Sequence, residues 1–188
     1  MIIESLVTTM DAAGRVNLAP MGVGWGEEIV LKPFLDTTTF RNIVVTRSAV
    51  LHLTDDVLLF VQAALGEPRF AWRPAASVQG AVLDDACSWR ELEVTTIDDT
   101  PPRARIVTRV ATRGEGREFL GFNRARHAVL EGTILATRLH LIPADEVSEQ
   151  FARLAIPVEK TAGPREREAW SWLTQFVRAR GISVGATA

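Results

Sequence analysis

The segment Asp36-Thr37-Thr38-Thr39-Phe40-Arg41-Asn42 sets three consecutive hydroxyls and an arginine at the expected start of a helix. Unpaired N–H groups and the helix dipole favour an anion there, and a guanidinium can donate a bidentate pair, so these are the components of a phosphate site. A Thr run in this position also reads as a plain helix cap, and composition does not separate the two. A second segment, Asn17-Leu18-Ala19-Pro20-Met21-Gly22, is β-prone but interrupted by proline. Proline cannot donate a ladder bond, so the strand needs an edge, a bulge or a ligand at that point. Such a break turns main-chain N–H and C=O groups toward a flat polar ligand, and an edge strand with a bulge is the plainer account.

Other chemistry is poorly represented. The single Cys87 cannot form an intramolecular disulfide, and the three histidines, His52, His127 and His140, are too scattered for a zinc site. No metal is expected. Cys87 lies beside acidic residues, in a setting that does not favour a reactive thiolate. With 21 Lys+Arg against 23 Asp+Glu the formal charge is −2, which gives no electrostatic case for nucleic acid or an anionic membrane. The first residues lack a basic leader and a small-residue cleavage site and do not read as a signal peptide. The longest apolar runs fall well short of the ~20 residues that cross a bilayer, so a cytoplasmic location is expected.

The 188 residues, 47% hydrophobic and 23% charged, suit one globular domain spanning 1–188. Ile2 to Thr9 and Val16 to Val23 read as a hairpin about a turn at Met10 to Gly14. Ile29 to Leu31 is a short strand, and Phe40 to Ile43 a short helix capped by Asp36 or a Thr. Val50 to Leu53, Val57 to Val61, Ser77 to Leu83, Trp89 to Ile97 and Arg103 to Thr112 read as extended, with Thr54-Asp55-Asp56 as an acidic turn. No long helix separates these strands, so an antiparallel barrel explains residues 1–115 better than a parallel sheet. Helical segments follow over about 120–181. Asn123 caps the first, with His127 and Glu131 one turn apart. The second runs from Pro143 to about Leu154. The third starts at Pro164 and stops at Gly181, and its apolar face, Ala169, Trp172, Leu173, Phe176 and Val177, must pack on the barrel or on another subunit.

Asn17 to Pro20 and Asp36 to Asn42 together resemble the flavin-mononucleotide-binding split-barrel superfamily, which includes flavin reductases and pyridoxamine-phosphate-oxidase-like proteins. Gly121-Phe122-Asn123-Arg124-Ala125-Arg126-His127, continuing into Ala136-Thr137-Arg138, narrows the likeness to a split-barrel family of unknown function whose structurally known members hold FMN and form homodimers. The resemblance runs from about Glu4 to Arg138 and more weakly beyond. It implies a β-rich α+β fold, an antiparallel split β-barrel of FMN-binding type with C-terminal helices. It further implies an isoalloxazine along Asn17, Ala19, Pro20, Met21 and Gly22, with the phosphate near Thr37, Thr38, Thr39, Arg41 and Asn42. Asn123 and Arg126 join the implied site, the Arg124, Arg126 and His127 cluster adding phosphate or substrate contacts. The plainer account of that cluster is a solvated helix face paired locally with Glu131. Tyrosine is absent, so Trp25 is the aromatic nearest the first motif, and buried tryptophan is often only core.

A flavin carries the redox chemistry itself, which accounts for the lack of an obvious catalytic triad. The function expected from the resemblance is an FMN-dependent oxidoreductase passing hydride between flavin N5 and a small organic or nicotinamide partner. The alternative is a non-catalytic flavin-binding or sensing module that recruits a protein through its helices.

Overall fold

The structure, a computed structural model, describes residues 1–185. Its elements are β1 (Ile2–Met10), β2 (Val16–Gly24), β3 (Ile29–Leu31), α1 (Thr38–Thr46), β4 (Ser48–Leu53), α2 (Val57–Leu65), β5 (Trp72–Pro74), β6 (Ala81–Leu83), β7 (Ser88–Asp98), β8 (Arg105–Glu115), α3 (Arg124–Ala136), α4 (Ala144–Thr161) and α5 (Pro164–Arg178). The chain forms two compact units. One comprises Met1–Thr54 and Phe70–Phe119, the other Asp55–Arg69 and the chain from Leu120 onward.

In the first unit β1, β2, β3, β8, β7 and β4 close in that order into an antiparallel barrel, with β4 returning to β1. The β1–β2 hairpin turns where Asp11 Oδ1 accepts the N–H groups of Ala13 and Arg15. Gly14 there has a φ of 82°, a conformation open to glycine because it lacks a Cβ. Register then runs unbroken from Met10↔Val16 to Ile2↔Gly24, which excludes the bulge anticipated at Pro20. The edge is what the proline marks. β2 meets β3 only at Gly24↔Val30, so from Val16 to Val23 its far side has no strand partner among the described residues. Proline on such an edge removes no ladder bond.

Val7, Val23, Leu31, Leu51, Leu92 and Ile106 fill the barrel. One end is closed by α1, which brings Ile43 into this core and packs Phe40 against it. Outside the barrel lies the β5–β6 ribbon. Thr8 Oγ1 donates to Ala81 O at 2.5 Å, and the Leu83 N–H donates to His52 Nε2 at 3.1 Å. The extended segment expected over Ser77 to Leu83 is confined to Ala81–Leu83. The buried Glu91 carboxylate accepts the Ala76 and Ser77 N–H groups at 3.0 and 2.6 Å, which holds the preceding residues in a loop instead of a ladder.

The second unit corrects a larger misreading. Val57 to Val61 is not a strand but the start of α2, and Asp56 is its N-cap, Oδ1 accepting the Leu59 N–H at 3.2 Å. A continuous apolar run carries no period to tell strand from helix, and the acidic pair that looked like a turn is the capping signal. Asn123 caps α3 as expected, accepting from the Ala125 and Arg126 N–H groups. α4 continues to Thr161 despite Pro157, farther than expected, while Pro164 opens α5. Of the apolar face expected on α5, Ala169, Leu173 and Val177 are buried within this unit, in one core with Val129 of α3, Phe151 of α4 and Trp170, which the spacing left out, whereas Trp172 and Phe176 are only half-buried against it. Among the described residues no helix is long and apolar enough to cross a membrane.

Candidate functional site

At the start of α1, Thr37 is the N-cap. Its Oγ1 accepts the Phe40 N–H at 3.2 Å and donates to Phe34 O at 2.7 Å. The Thr38 and Thr39 N–H groups belong to the first turn, where helix geometry supplies no acceptor. Arg41 folds back over this turn, donating from Nη1 to Asp36 O at 2.7 Å and from Nη2 to Thr38 Oγ1 at 3.0 Å. No acidic residue occupies the turn, so an exposed guanidinium and the positive end of a helix dipole stand together without a carboxylate of α1 to balance them.

The two sequence motifs meet here. Asn17 on β2 donates from Nδ2 to Thr39 Oγ1 at 3.1 Å and lies 3.5 Å from Thr9 Oγ1. The buried Asn42 donates from Nδ2 to the same Thr9 hydroxyl at 3.2 Å. Thr9, fully buried on β1, therefore joins the motifs, and sequence reading missed it because it looks like an ordinary strand residue opposite Asn17. This network fixes α1 against the hairpin and sets the angle between the Thr-rich turn and the β2 edge.

Along that edge Ala19, Pro20, Met21 and Gly22 are all half-buried. Ser5 Oγ donates to Met21 O at 2.8 Å, securing the strand from behind. A Cβ at Gly22 would meet Glu4 Oε1 and Ile2 Cγ2, each at 3.0 Å, so glycine lets the β1 side chains lie over the strand. Pro20 faces Leu6, which in turn faces His52 on β4. The His52 ring spans this row, Nδ1 to Leu6 O at 3.1 Å and Nε2 accepting from Leu83. Burial pushes its pKa down to about 4 against the raising effect of its backbone hydrogen bonds, so the imidazole is a neutral structural clip.

Asn123 and Arg126 lie in the second unit with their polar atoms engaged. Asn123 caps α3 and donates to Thr161 O at 3.0 Å. Arg126 pairs with Asp55 at 2.5 Å and with Glu166 at 2.8 Å, both carboxylates being buried. Burial would raise the Glu166 carboxyl, but the hydrogen bonds and charge of Arg126, with backbone donors, hold it below its usual value. The local His127–Glu131 pairing does not form among the described residues; His127 stacks on Phe122, ring centroids 5.9 Å apart. Arg126 thus ties together the starts of α2, α3 and α5, a use of the residue that spacing along one helix could not reveal.

Helix N–H groups and a guanidinium form a donor set suited to an anion, held by hydroxyls and carboxamides bonded to one another behind it, with a half-buried strand edge beside it. Among the described residues no group of three or more His, Cys, Asp or Glu could hold a metal ion. The fold is shared with flavin proteins. An FMN-bound protein from Methanosarcina mazei superposes with a TM-score of 0.80 at 22% identity, over 93% of this chain and 94% of that one. The 2-nitrobenzoate 2-nitroreductase of Pseudomonas fluorescens gives 0.53 at 20% identity, covering 61% of this chain and 64% of its own. The styrene monooxygenase flavin reductase of Pseudomonas putida S12 gives 0.53 at 13%, covering 61% and 80%. The architecture is the antiparallel split barrel with C-terminal helices that the sequence led us to expect. Residues 3–116 match the family described as protein of unknown function (DUF447), N-terminal domain, and residues 123–175 match its companion described as protein of unknown function (DUF447). The chain belongs to the DUF447 family.

Proposed function

We propose that this protein binds FMN and acts as a flavin-dependent oxidoreductase, with the flavin ring along Asn17, Ala19, Pro20, Met21 and Gly22 and the phosphate at Thr37, Thr38, Thr39, Arg41 and Asn42. The observation that carries this reading is the junction of a helix start that has a guanidinium and no acidic residue in its first turn with an unpaired strand edge, joined by the Asn17–Thr39 hydrogen bond. The FMN-bound state of the Methanosarcina mazei protein supports it. At about 3.3 Å per residue, Asn17 to Gly22 offers roughly 17 Å of edge, room for a planar heterocycle and its linker.

Bound flavin would supply hydride transfer at N5. The chain's own part is to bind and orient. Thr38 and Thr39 N–H groups and the Arg41 guanidinium hold the phosphate, Asn17 and Asn42 fix the turn that presents them, and the half-buried strand excludes water from one side of the ring. The polar atoms of Asn123 and Arg126 serve the helical unit, and this reading needs no cofactor contact from them. The hydride partner is a small organic molecule or a nicotinamide. We also propose a homodimer; Val44 and Val45 of α1, 47% and 63% exposed, supply apolar surface for it.

Titration of the purified chain with FMN tests binding. A colourless preparation that takes up no FMN rejects the reading. Anaerobic reduction of the bound flavin by NADH or NADPH and reoxidation by a candidate acceptor tests catalysis; a flavin that no nicotinamide reduces favours the sensing module instead. Light scattering that finds only monomer rejects the dimer.

A further inference from the structure

The barrel end away from α1 carries an arrangement that neither fold nor cofactor explains. Arg90 on β7 lies between Leu51 of β4 and Arg113 of β8 in the ladder. Leu51 is fully buried in the barrel core, and residues directly opposite across a sheet share a face, so both arginines are set on the inward side. The extra residue of the nearby bulge falls on β8, between Val110 and Thr112, and leaves the alternation of β7 intact. Across the barrel end stands Trp25, half-buried against the core, with the Arg90 guanidinium 5.8 Å from its ring centroid.

Like charges directly opposite in a ladder are destabilising, and proteins usually place a carboxylate nearby. Here none pairs. Arg90 makes one side-chain hydrogen bond, to Trp89 O at 2.8 Å, and Arg113 makes none among the described residues. Neither forms an ion pair, although Arg15, Arg73 and Arg109 of the same unit each have an acidic partner. Burial, and then the charge of Arg113, disfavour the Arg90 cation, and Glu115 opposes them only in part. A guanidinium offers five N–H donors in a planar fork, so most of the donors of this pair have no protein acceptor.

We propose that Arg90, Arg113 and Trp25 form a binding site for a ring-bearing organic anion, a carboxylate or a phosphate monoester. The anion lies between the two guanidinium groups, relieving their repulsion, and the ring lies on the Trp25 face. Guanidinium forks match both head groups. The site is built wholly from the first unit and does not rest on the cofactor reading.

The test is calorimetric titration of the full chain, as purified, with benzoate, phenyl phosphate and benzamide. We expect saturable binding of at least one of the anions, about tenfold or more tighter than the uncharged benzamide, and a loss of about tenfold or more in Arg113→Gln. Arg113 is exposed, so the variant should melt as the parent does. The tighter anion identifies the head group. Arg109→Gln, which removes an exposed guanidinium of the same strand that is paired with Glu93 and lies outside both sites, should bind the same anion undiminished. No saturation by either anion, equal binding of benzamide, full binding by Arg113→Gln, or equal losses in Arg109→Gln and Arg113→Gln would each overturn the proposal.

Discussion

Replacing Arg41 with alanine asks whether the start of α1 grips a phosphate. The guanidinium is exposed and bonds only within its own turn, to Asp36 O and Thr38 Oγ1, so its loss should leave the barrel nearly as stable as before. A charge-assisted hydrogen bond to an anion contributes about 1.5–3 kcal/mol, and solvent screening of an exposed group favours the lower end. At about 1.4 kcal/mol per decade, FMN affinity should fall roughly tenfold or somewhat more. Riboflavin has the same ring and no phosphate, and its affinity should change by less than about twofold. The assay is parallel equilibrium titration of parent and variant with both ligands, followed by flavin fluorescence and repeated at two salt concentrations. Phosphate recognition also predicts that the FMN advantage over riboflavin shrinks with salt in the parent and less in the variant. Equal weakening of both ligands would refute the role given to Arg41, and unchanged binding of both would remove the anion site from α1.

Three further substitutions or conditions probe the scaffold. His52 is held neutral with a pKa lowered to about 4, so its contribution is complete above about pH 6.5 and is lost as pH falls toward 4; the loss reaches on the order of 3 kcal/mol. An NMR titration placing the His52 ring near pH 6.5 would contradict this. Arg126→Ala removes the guanidinium shared by two buried carboxylates, Asp55 and Glu166, and should cost about 3–5 kcal/mol in urea denaturation; a loss below about 1 kcal/mol would show that the pair of contacts is not structural. Gly114→Ala would place a Cβ 2.0 Å from the Trp89 ring, so the ring must move, lowering stability by about 1–3 kcal/mol with a shift in tryptophan fluorescence; an unchanged spectrum would refute the contact.

The barrel was legible where residue types carry backbone constraints. The Asp11–Gly14 turn, the β-prone runs of β1 and β2 and the Thr37 cap all follow from local chemistry, and the proline correctly marked β2 as unusual. What local chemistry could not give was which remedy Pro20 takes, because an edge is a property of the missing neighbour. The α2 misreading has the same root. Val57 to Val61 is apolar on every side, and only the capping role of Asp56 distinguishes a helix there. At the site, Asn17, Thr39 and Asn42 stood in the motifs, whereas Thr9 became visible only when register put it between two carboxamides. The ion pairs of Arg126 were not legible because its partners are 71 and 40 residues away, beyond the reach of any helical spacing rule.

Helix α1 is nine residues long and serves two masters: Thr39 and Asn42 face the polar junction while the adjacent Ile43 plugs the barrel. So short a rod transmits a displacement at one end to the other. Changing the volume of the Ile43 side chain would reposition the hydroxyl turn as a rigid body, and remodelling that turn would lever the plug. Engineering of the phosphate grip proposed for α1 should therefore treat the barrel lining beneath the helix as part of it.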